Sequence, residues 1–109
     1  SSLVGSEMCI RGRYYSYHAE RTAMSHIDIH PRIEQRHPEI KPQDVYDAVR
    51  GMVSYTRRES GEWVGVGFDT QGRFIELVYV YDEDIDSFLV YHAMIPPSAK
   101  TLRELRMER

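Results

Sequence analysis

Glu76 and His92 are the residues whose types and spacing point most directly to chemistry. They fall in two successive strand-like runs, so an antiparallel pairing of these runs sets them side by side on one face of a sheet. An imidazole can take or give a proton near neutral pH, and a neighbouring carboxylate can orient it. The pattern predicts an acid–base pair, with His92 transferring the proton and Glu76 orienting it. The alternative is a structural pair that only fixes the strand register.

The two residues belong to a predicted β-meander, a row of antiparallel strands joined by short loops. Residues 62–68, 74–81 and 88–94 are rich in valine and aromatic residues, as strands usually are. Gly72 lies in the short loop between the first two runs, where a hairpin favours glycine. The predicted register pairs Phe68 with Phe74, Val66 with Glu76, Val80 with Phe88 and Glu76 with His92.

The residues before the meander predict a first helix. Ile29 and Ile33 have helical spacing, which favours a helix over residues 28–37. Pro38 disfavours helical geometry at the residue before it, so we expect the helix to end there.

A second helix, a strand and a C-terminal helix complete the predicted elements. The second helix begins at Pro42 and ends at Gly51, which suits a C-terminal cap. Residues 52–58 form the first of four predicted strands. After the last strand, Ser98 is placed to cap a short C-terminal helix.

This order predicts an α+β domain with two N-terminal helices, a four-stranded antiparallel sheet (the meander) and a short C-terminal helix, all helices on one face. The domain would span residues 24–109. Residues 1–23 show no clear period and are interpreted as an N-terminal arm or a segment added by cloning, in which residues 14–18 are either a strand or a packed arm. The face without helices would be a partner surface made of Ile75, Leu77, Tyr79 and Tyr81.

The composition is that of an ordinary small globular domain. The chain has 109 residues, 28% of them charged, and a formal net charge of −3. This charge argues against broad nucleic-acid binding, which needs clustered cations, but it is compatible with a local basic groove. Cys9 is the only cysteine, which excludes an internal disulfide framework. We find neither an apolar run of membrane-helix length nor a signal-peptide pattern, and therefore expect a cytoplasmic protein.

Two segments resemble the RelE/ParE superfamily of toxins, and in particular the BrnT-like ribonuclease toxins. Residues 36–45 look like the family's helix–break–helix entry, in which a basic residue and a histidine precede a short turn. Residues 90–94, followed by Ser98-Ala99-Lys100 and a charged helix, are similar to its last strand and closing helix. The resemblance covers residues 27–107.

The resemblance implies a RelE/BrnT-like fold and the toxin of a toxin–antitoxin pair, which inhibits growth by cleaving RNA. Such cleavage uses the RNA 2′-hydroxyl as nucleophile and needs no metal or other cofactor. It requires a base, an acid and cations that stabilise the charge on the phosphorus centre. The implied partners are an RNA substrate and a cognate antitoxin protein that covers the basic groove, in a homodimer or a toxin–antitoxin hetero-oligomer.

The candidate residues combine this implied chemistry with the sequence pattern. The catalytic candidates are His92, Glu76 and Arg58. The RNA-binding candidates are Arg57, Arg73, Arg36, His37, Lys100 and Arg103. Arginine suits the planar recognition of phosphate, and two adjacent arginines on a strand point to opposite faces. No metal site is predicted, because His26 and His30 would supply only two ligands.

Each of these cations also has a structural interpretation. The adjacent arginines could be a solvated strand end, and Arg73 a surface turn residue. Arg36 and His37 could interact with the C-terminal dipole of the helix before them, and Lys100 and Arg103 could keep the surface soluble. The chain as a whole has an alternative function, a non-catalytic protein-binding module of the same fold that acts through a partner protein. The negative net charge favours this alternative.

Overall fold

The computed structural model of the chain describes residues 8–17 and 26–107. Its elements are β1 (Met8–Arg11), β2 (Tyr14–Tyr17), β3 (His26–Ile29), α1 (Arg32–Arg36), α2 (Pro42–Arg50), β4 (Met52–Arg57), β5 (Trp63–Phe68), β6 (Phe74–Asp82), β7 (Ser87–Met94) and α3 (Ala99–Glu104). No helix in the described ranges has both the length and the apolar character needed to cross a membrane.

The strands form one mixed sheet of seven strands in the order β1-β2-β3-β7-β6-β5-β4. β3 pairs with β7 in parallel, whereas the other neighbouring strands are antiparallel. The predicted α+β fold of the RelE/BrnT type, with two N-terminal helices and a four-stranded antiparallel sheet, is therefore wrong. The predicted meander corresponds to β4–β7, which is one part of a larger sheet.

The main error lies in the helix predicted over residues 28–37. Ile29 belongs to strand β3, and Ile33 belongs to α1, which has only five residues. Both side chains are buried, with 1% and 3% of their surfaces exposed. Both residues are apolar because they pack into the same core. A strand end followed by a turn can bury two residues four positions apart, as a helix can.

β1 and β2 lie in the N-terminal segment that the sequence analysis interprets as an arm or as a segment added by cloning. Tyr14–Tyr17 is a strand, which decides between the two interpretations of that part of the chain. Tyr17 is 2% exposed, and its ring stacks on the Tyr46 ring of α2 with 4.5 Å between centroids. The N-terminal hairpin therefore extends the same core that α2 covers.

α2 has the predicted bounds and apolar stripe, but it covers the face that was expected to be open. Val45, Ala48 and Val49 are buried in one cluster with Ile75 and Leu77, which are 0% exposed. The predicted open face is therefore wrong for Ile75 and Leu77, because strand alternation shows which residues share a face but not which face a helix covers. The placement of all helices on one face is wrong as well, since α3 contacts the opposite face.

α2 lies so close to the sheet that one strand position must be glycine. A Cβ atom on Gly67 would lie 2.1 Å from the carbonyl oxygen of Ala48 and 2.9 Å from Cα of Met52. Both are backbone atoms in a close-packed region and cannot rotate away. The absence of a side chain at Gly67 therefore permits the observed distance between α2 and β5.

The β5–β6 hairpin has the predicted register, with Phe68 opposite Phe74. In its loop, Gly72 has a φ of 78°, a backbone conformation that glycine adopts without steric cost. The Gly72 N–H donates to the carbonyl oxygen of Asp69 at 3.1 Å. The turn residue recognised in the sequence therefore closes the hairpin.

The predicted β6–β7 register is wrong in two ways. Val80 lies one residue away from Phe88, its predicted partner. The ladder then shifts at a β-bulge, where β7 contains one extra residue, Tyr91. His92 is consequently not opposite Glu76 but is its diagonal neighbour on the same face.

Arg73 connects the hairpin loop to the start of α2. Its Nε lies 2.8 Å from Oδ2 of Asp69 and its Nη2 lies 2.9 Å from Oδ2 of Asp44. Its Nη1 also donates to the carbonyl oxygen of Glu39 at 2.9 Å. Burial raises the pKa of Asp69, but hydrogen bonds from Arg73 and from the backbone of Gln71 outweigh it and lower that pKa. Arg73 therefore has a structural role here.

We expect Arg73→Ala to lower the free energy of unfolding by about 2–3 kcal/mol, because the Asp69 carboxylate would stay buried without its cation. The Asp69 side chain is 0% exposed. Urea unfolding followed by tryptophan fluorescence would measure the change. Arg103→Ala is the control, since Arg103 is exposed on α3, and it should change the free energy of unfolding by less than about 0.5 kcal/mol. Equal effects of the two substitutions would contradict the role assigned to Arg73.

Candidate functional site

The His92 pocket is an open concavity of about 390 Å³ on the sheet face opposite α2. The side chains that give it chemical character are Arg32, Arg58, Glu76, Tyr91, His92 and Lys100. Four of them, His92, Glu76, Arg58 and Lys100, are candidates from the sequence. The fold thus brings together residues of α1, β6, β7 and α3, and the residue that follows β4.

The bulge in β7 shapes the floor of this pocket. In a regular strand, Tyr91 and His92 would point to opposite faces. The extra residue removes that alternation, and both side chains line the His92 pocket. Glu76 and Val78 reach the same face from β6. The backbone irregularity therefore places a phenol beside the imidazole.

The Glu76 carboxylate accepts hydrogen bonds on both oxygens. Oε2 lies 2.7 Å from Nε2 of His92, and Oε1 accepts from the backbone N–H and the hydroxyl of Ser98 at 2.9 and 2.8 Å. Burial alone would raise the pKa of Glu76. The hydrogen bonds from His92, Thr101 and Ser98 outweigh it and hold the pKa at about 2. Glu76 is therefore ionised at neutral pH.

The charge of Glu76 determines the tautomer of His92. An ionised carboxylate can only accept hydrogen bonds, so Nε2 of the imidazole must carry the hydrogen that it shares with Glu76. In the neutral ring the lone pair then lies on Nδ1. The His92 side chain is 33% exposed, and Nδ1 has no hydrogen-bond partner among the described residues. Nδ1 is thus the atom that can take a proton from a substrate.

Ser98 is not arranged as a nucleophile. Its hydroxyl donates to Glu76 and accepts from the backbone N–H of Thr101, as the N-cap of α3. A serine nucleophile needs a hydrogen bond to the base that removes its proton. Here the carboxylate lies between Ser98 and His92, so the three residues form a positioning chain and not a catalytic triad.

A second cluster of serine, carboxylate and histidine side chains is also structural. Asp28 is 4% exposed and accepts hydrogen bonds from Ser16 and Ser87, which links β2, β3 and β7. Nε2 of His26 lies 3.5 Å from the same carboxylate. Both serines donate to the aspartate and not to the imidazole, so neither is activated for attack.

Arg58 lines the His92 pocket, but its guanidinium is already engaged. Nε and Nη2 donate to the two carboxylate oxygens of Glu104 at 2.9 Å each, and Nη1 lies 3.5 Å from Oε2 of Glu62. The hydrogen bond to Glu104 raises the pKa of Arg58 despite partial burial. This forked pair ties β4 to α3. Arg58 therefore holds the wall of the pocket in place, and its charge is already neutralised by carboxylates of the chain.

Arg32 and Lys100 are the cations of the pocket that remain available. Within the described residues, neither forms an ion pair. Tyr91 lies near them, and burial together with the charge of Glu62 raises its pKa, so its hydroxyl stays protonated and can donate. Arg32 and Tyr91 were missed in the sequence. Arg32 lines the pocket because β3, which precedes α1, pairs in parallel with β7. Tyr91 lines it because of the bulge in β7.

The other predicted site residues lie elsewhere. Arg57 is on the opposite sheet face, with its guanidinium carbon 5.8 Å from the centroid of the Trp63 ring. Arg36 and His37 line a small adjoining cavity of about 70 Å³ that also contacts His92. Arg73 and Arg103 do not line the His92 pocket. The adjoining pair could extend a binding surface from the pocket, and so could Arg57, which lines a neighbouring cavity of about 700 Å³ together with Glu62 and Tyr91 of the pocket.

Taken together, the pocket offers proton transfer and anion binding. A base with a fixed tautomer lies beside two available cations and a neutral hydroxyl donor. No group of three or more potential metal ligands occurs in the described part of the chain. No protein-family model matches this chain, and comparisons with curated proteins and with solved structures give no significant match.

We expect the free energy of unfolding to fall as the pH is lowered from 5 to 2. The pKa of Glu76 is lowered from 4.5 to about 2 in the fold. Its contribution, about 3 kcal/mol, is therefore present above pH 5 and is lost as the pH falls towards the folded-state pKa. In Glu76→Gln the free energy of unfolding should be lower at pH 7 and flatter between pH 5 and 2.

Urea unfolding at a series of pH values would measure this difference. Glu59→Gln is the matched control, because Glu59 is exposed on the loop after β4. Its curve should run parallel to that of the unmodified chain. A constant offset between Glu76→Gln and the unmodified chain over the whole range would show that Glu76 is not the ionised group described here.

Proposed function

We propose that the chain is a metal-independent endoribonuclease with His92 as its acid–base residue. The observation that carries the proposal is the imidazole held at 2.7 Å by an ionised carboxylate, in a pocket with two available cations. Phosphodiesters are anionic, and cleavage through the 2′-hydroxyl needs a base close to cations. The base and both cations line the same concavity of about 390 Å³.

In the proposed reaction, Nδ1 of His92 removes the proton of the 2′-hydroxyl. The 2′-oxygen attacks the adjacent phosphorus, and the bond to the 5′-oxygen breaks. A solvent water in the open pocket protonates the departing 5′-oxygen, and the hydroxide that remains takes the proton from Nδ1 of His92. The products are a 2′,3′-cyclic phosphate and a 5′-hydroxyl. Arg32 and Lys100 stabilise the negative charge that grows on the phosphoryl oxygens, and the Tyr91 hydroxyl donates a hydrogen bond to one of them. Glu76 keeps Nε2 protonated and the ring in position.

The biological role that we propose follows from the family resemblance. A ribonuclease of this kind would be the toxin of a toxin–antitoxin pair and would arrest growth by cleaving cellular RNA in the cytoplasm. A cognate antitoxin protein would then have to cover the His92 pocket or hold the chain inactive. The resemblance supports this role, and the pocket supports the chemistry.

A second candidate function is a protein-binding module without catalysis. The forked contact between Arg58 and Glu104 favours it, because it removes one predicted phosphate ligand from the pocket. In that case the pair of His92 and Glu76 only anchors α3 to the sheet. The two functions differ in whether removal of the imidazole changes an activity or only the stability.

We expect purified protein to cleave single-stranded RNA in the presence of EDTA, and His92→Gln to lower the rate by about 100-fold or more. Cleaved ends should be a 2′,3′-cyclic phosphate and a 5′-hydroxyl, and a 2′-deoxy nucleotide at the cleaved position should block the reaction. Regulated expression in bacteria should arrest growth and degrade RNA, and His92→Gln should relieve both. Circular dichroism would confirm that the variant folds. Intact RNA in both assays would favour the binding module.

A pair of arginine substitutions separates the pocket from general charge. Arg32→Gln should lower the cleavage rate by about 100-fold, since it removes a cation at the growing charge. Arg50→Gln removes the same charge from the end of α2, on the opposite face, and should leave the rate unchanged. Both rates would be measured with the same labelled RNA at one salt concentration. Equal losses would show that the basic residues act only through overall charge.

A further inference from the structure

An apolar groove of about 420 Å³ lies on the sheet face opposite the His92 pocket. Five aromatic residues line it: Tyr55, Trp63, Tyr79, Tyr81 and Phe88. We call it the aromatic groove. It exists because α2 ends at Arg50 and covers only the part of this face that contains Ile75 and Leu77.

The aromatic groove is exposed where an apolar partner could reach it. Tyr55 and Tyr81 are 62% and 41% exposed, whereas Tyr79 is 5% exposed and forms the floor. The Trp63 and Tyr79 rings are nearly parallel at 6.4 Å between centroids, and Tyr55 leans on Trp63 at 5.9 Å. Packed aromatic rings keep their shape and lose little conformational entropy when a partner binds.

An acidic turn adjoins one end of this groove. Asp82, Glu83 and Asp84 are exposed at the β6–β7 connection, and none of the three forms an ion pair with a described residue. The Tyr81 hydroxyl donates to Oδ1 of Asp86 at 2.9 Å, which joins the turn to the groove. The exposed Arg57 also adjoins the groove, with its guanidinium carbon 5.8 Å from the centroid of the Trp63 ring. The carboxylates of the turn outnumber this cation, so apolar surface and net negative charge form one continuous patch.

We propose that this patch binds a cationic amphipathic segment of a partner protein. Apolar side chains of the segment would fill the aromatic groove, and its lysine or arginine residues would face the acidic turn. The charge pattern selects this occupant. Nucleic acid and anionic lipid surfaces would be repelled by the carboxylates, and a two-fold dimer through the patch would set two acidic turns against each other.

The proposal does not depend on RNA cleavage, because the patch and the His92 pocket lie on opposite faces. It concerns a partner recognised by apolar contact and positive charge. His92→Gln should therefore leave binding at the patch unchanged.

The test is a selection of displayed random peptides on the full chain, with Tyr55→Ser as a parallel bait. Enriched peptides should combine lysine or arginine with large apolar residues, and should be lost on the Tyr55→Ser bait. The synthesised peptides should bind at least about tenfold more weakly to Tyr55→Ser than to the unmodified chain. Their affinity for the unmodified chain should fall as the salt concentration is raised. The triple variant Asp82→Asn, Glu83→Gln and Asp84→Asn should also bind the peptides more weakly. Circular dichroism would check that each variant folds.

Ile10→Ser is the matched control, since Ile10 is 72% exposed on β1, away from the patch. It should bind the peptides as the unmodified chain does. The proposal is overturned by enrichment of acidic or uncharged peptides, by no enrichment, or by affinities that Tyr55→Ser does not change. A dimer in light scattering that Tyr55→Ser converts to a monomer would assign the patch to a second copy. Single-stranded RNA that binds the unmodified chain but not Tyr55→Ser would assign it to nucleic acid.

Discussion

The buried carboxylate of Glu76 needs several hydrogen-bond donors, and this requirement joins the C-terminal part of the chain to the sheet. Taking a charged carboxylate out of water costs several kcal/mol unless donors replace the lost hydration. The donors come from β7 through His92 and from the start of α3 through Ser98 and Thr101. The same contacts that hold α3 also hold the imidazole, so the geometry of the pocket and the attachment of the helix are one feature.

The sheet separates two kinds of surface. The face with the His92 pocket combines cations with carboxylates that partly neutralise them, as in the pair of Arg58 and Glu104. The opposite face combines the aromatic groove with the acidic turn. A net charge of −3 is the sum of these regions and describes neither of them. For a domain with two distinct faces, the net charge of the whole sequence therefore does not exclude an anion-binding site on one face.

Local signals in the sequence predicted the elements that depend on neighbouring residues. The glycine hairpin, the bounds of α2 and the Ser98 cap follow from turn and capping chemistry. The proximity of Glu76 and His92 was predicted, although through a register that the structure corrects. The parallel pairing of β3 with β7 joins residues far apart in the chain. The bulge at Tyr91 produces no recognisable pattern of apolar and polar residues in the sequence. Arg32 and Tyr91 depend on these two features, so these two of the six chemically important pocket residues were not predictable.

The contact between Gly67 and α2 restricts how this chain can change over evolutionary time. Even alanine, the smallest replacement with a side chain, would place its methyl group 2.1 Å from a carbonyl oxygen of the helix. Because the atom that the methyl group would meet belongs to the helix backbone, changing a neighbouring side chain does not relieve the clash. A lineage that keeps this layer of helix on sheet must therefore keep glycine at that position. The position would serve as a marker of descent even where the residues of the pocket have diverged.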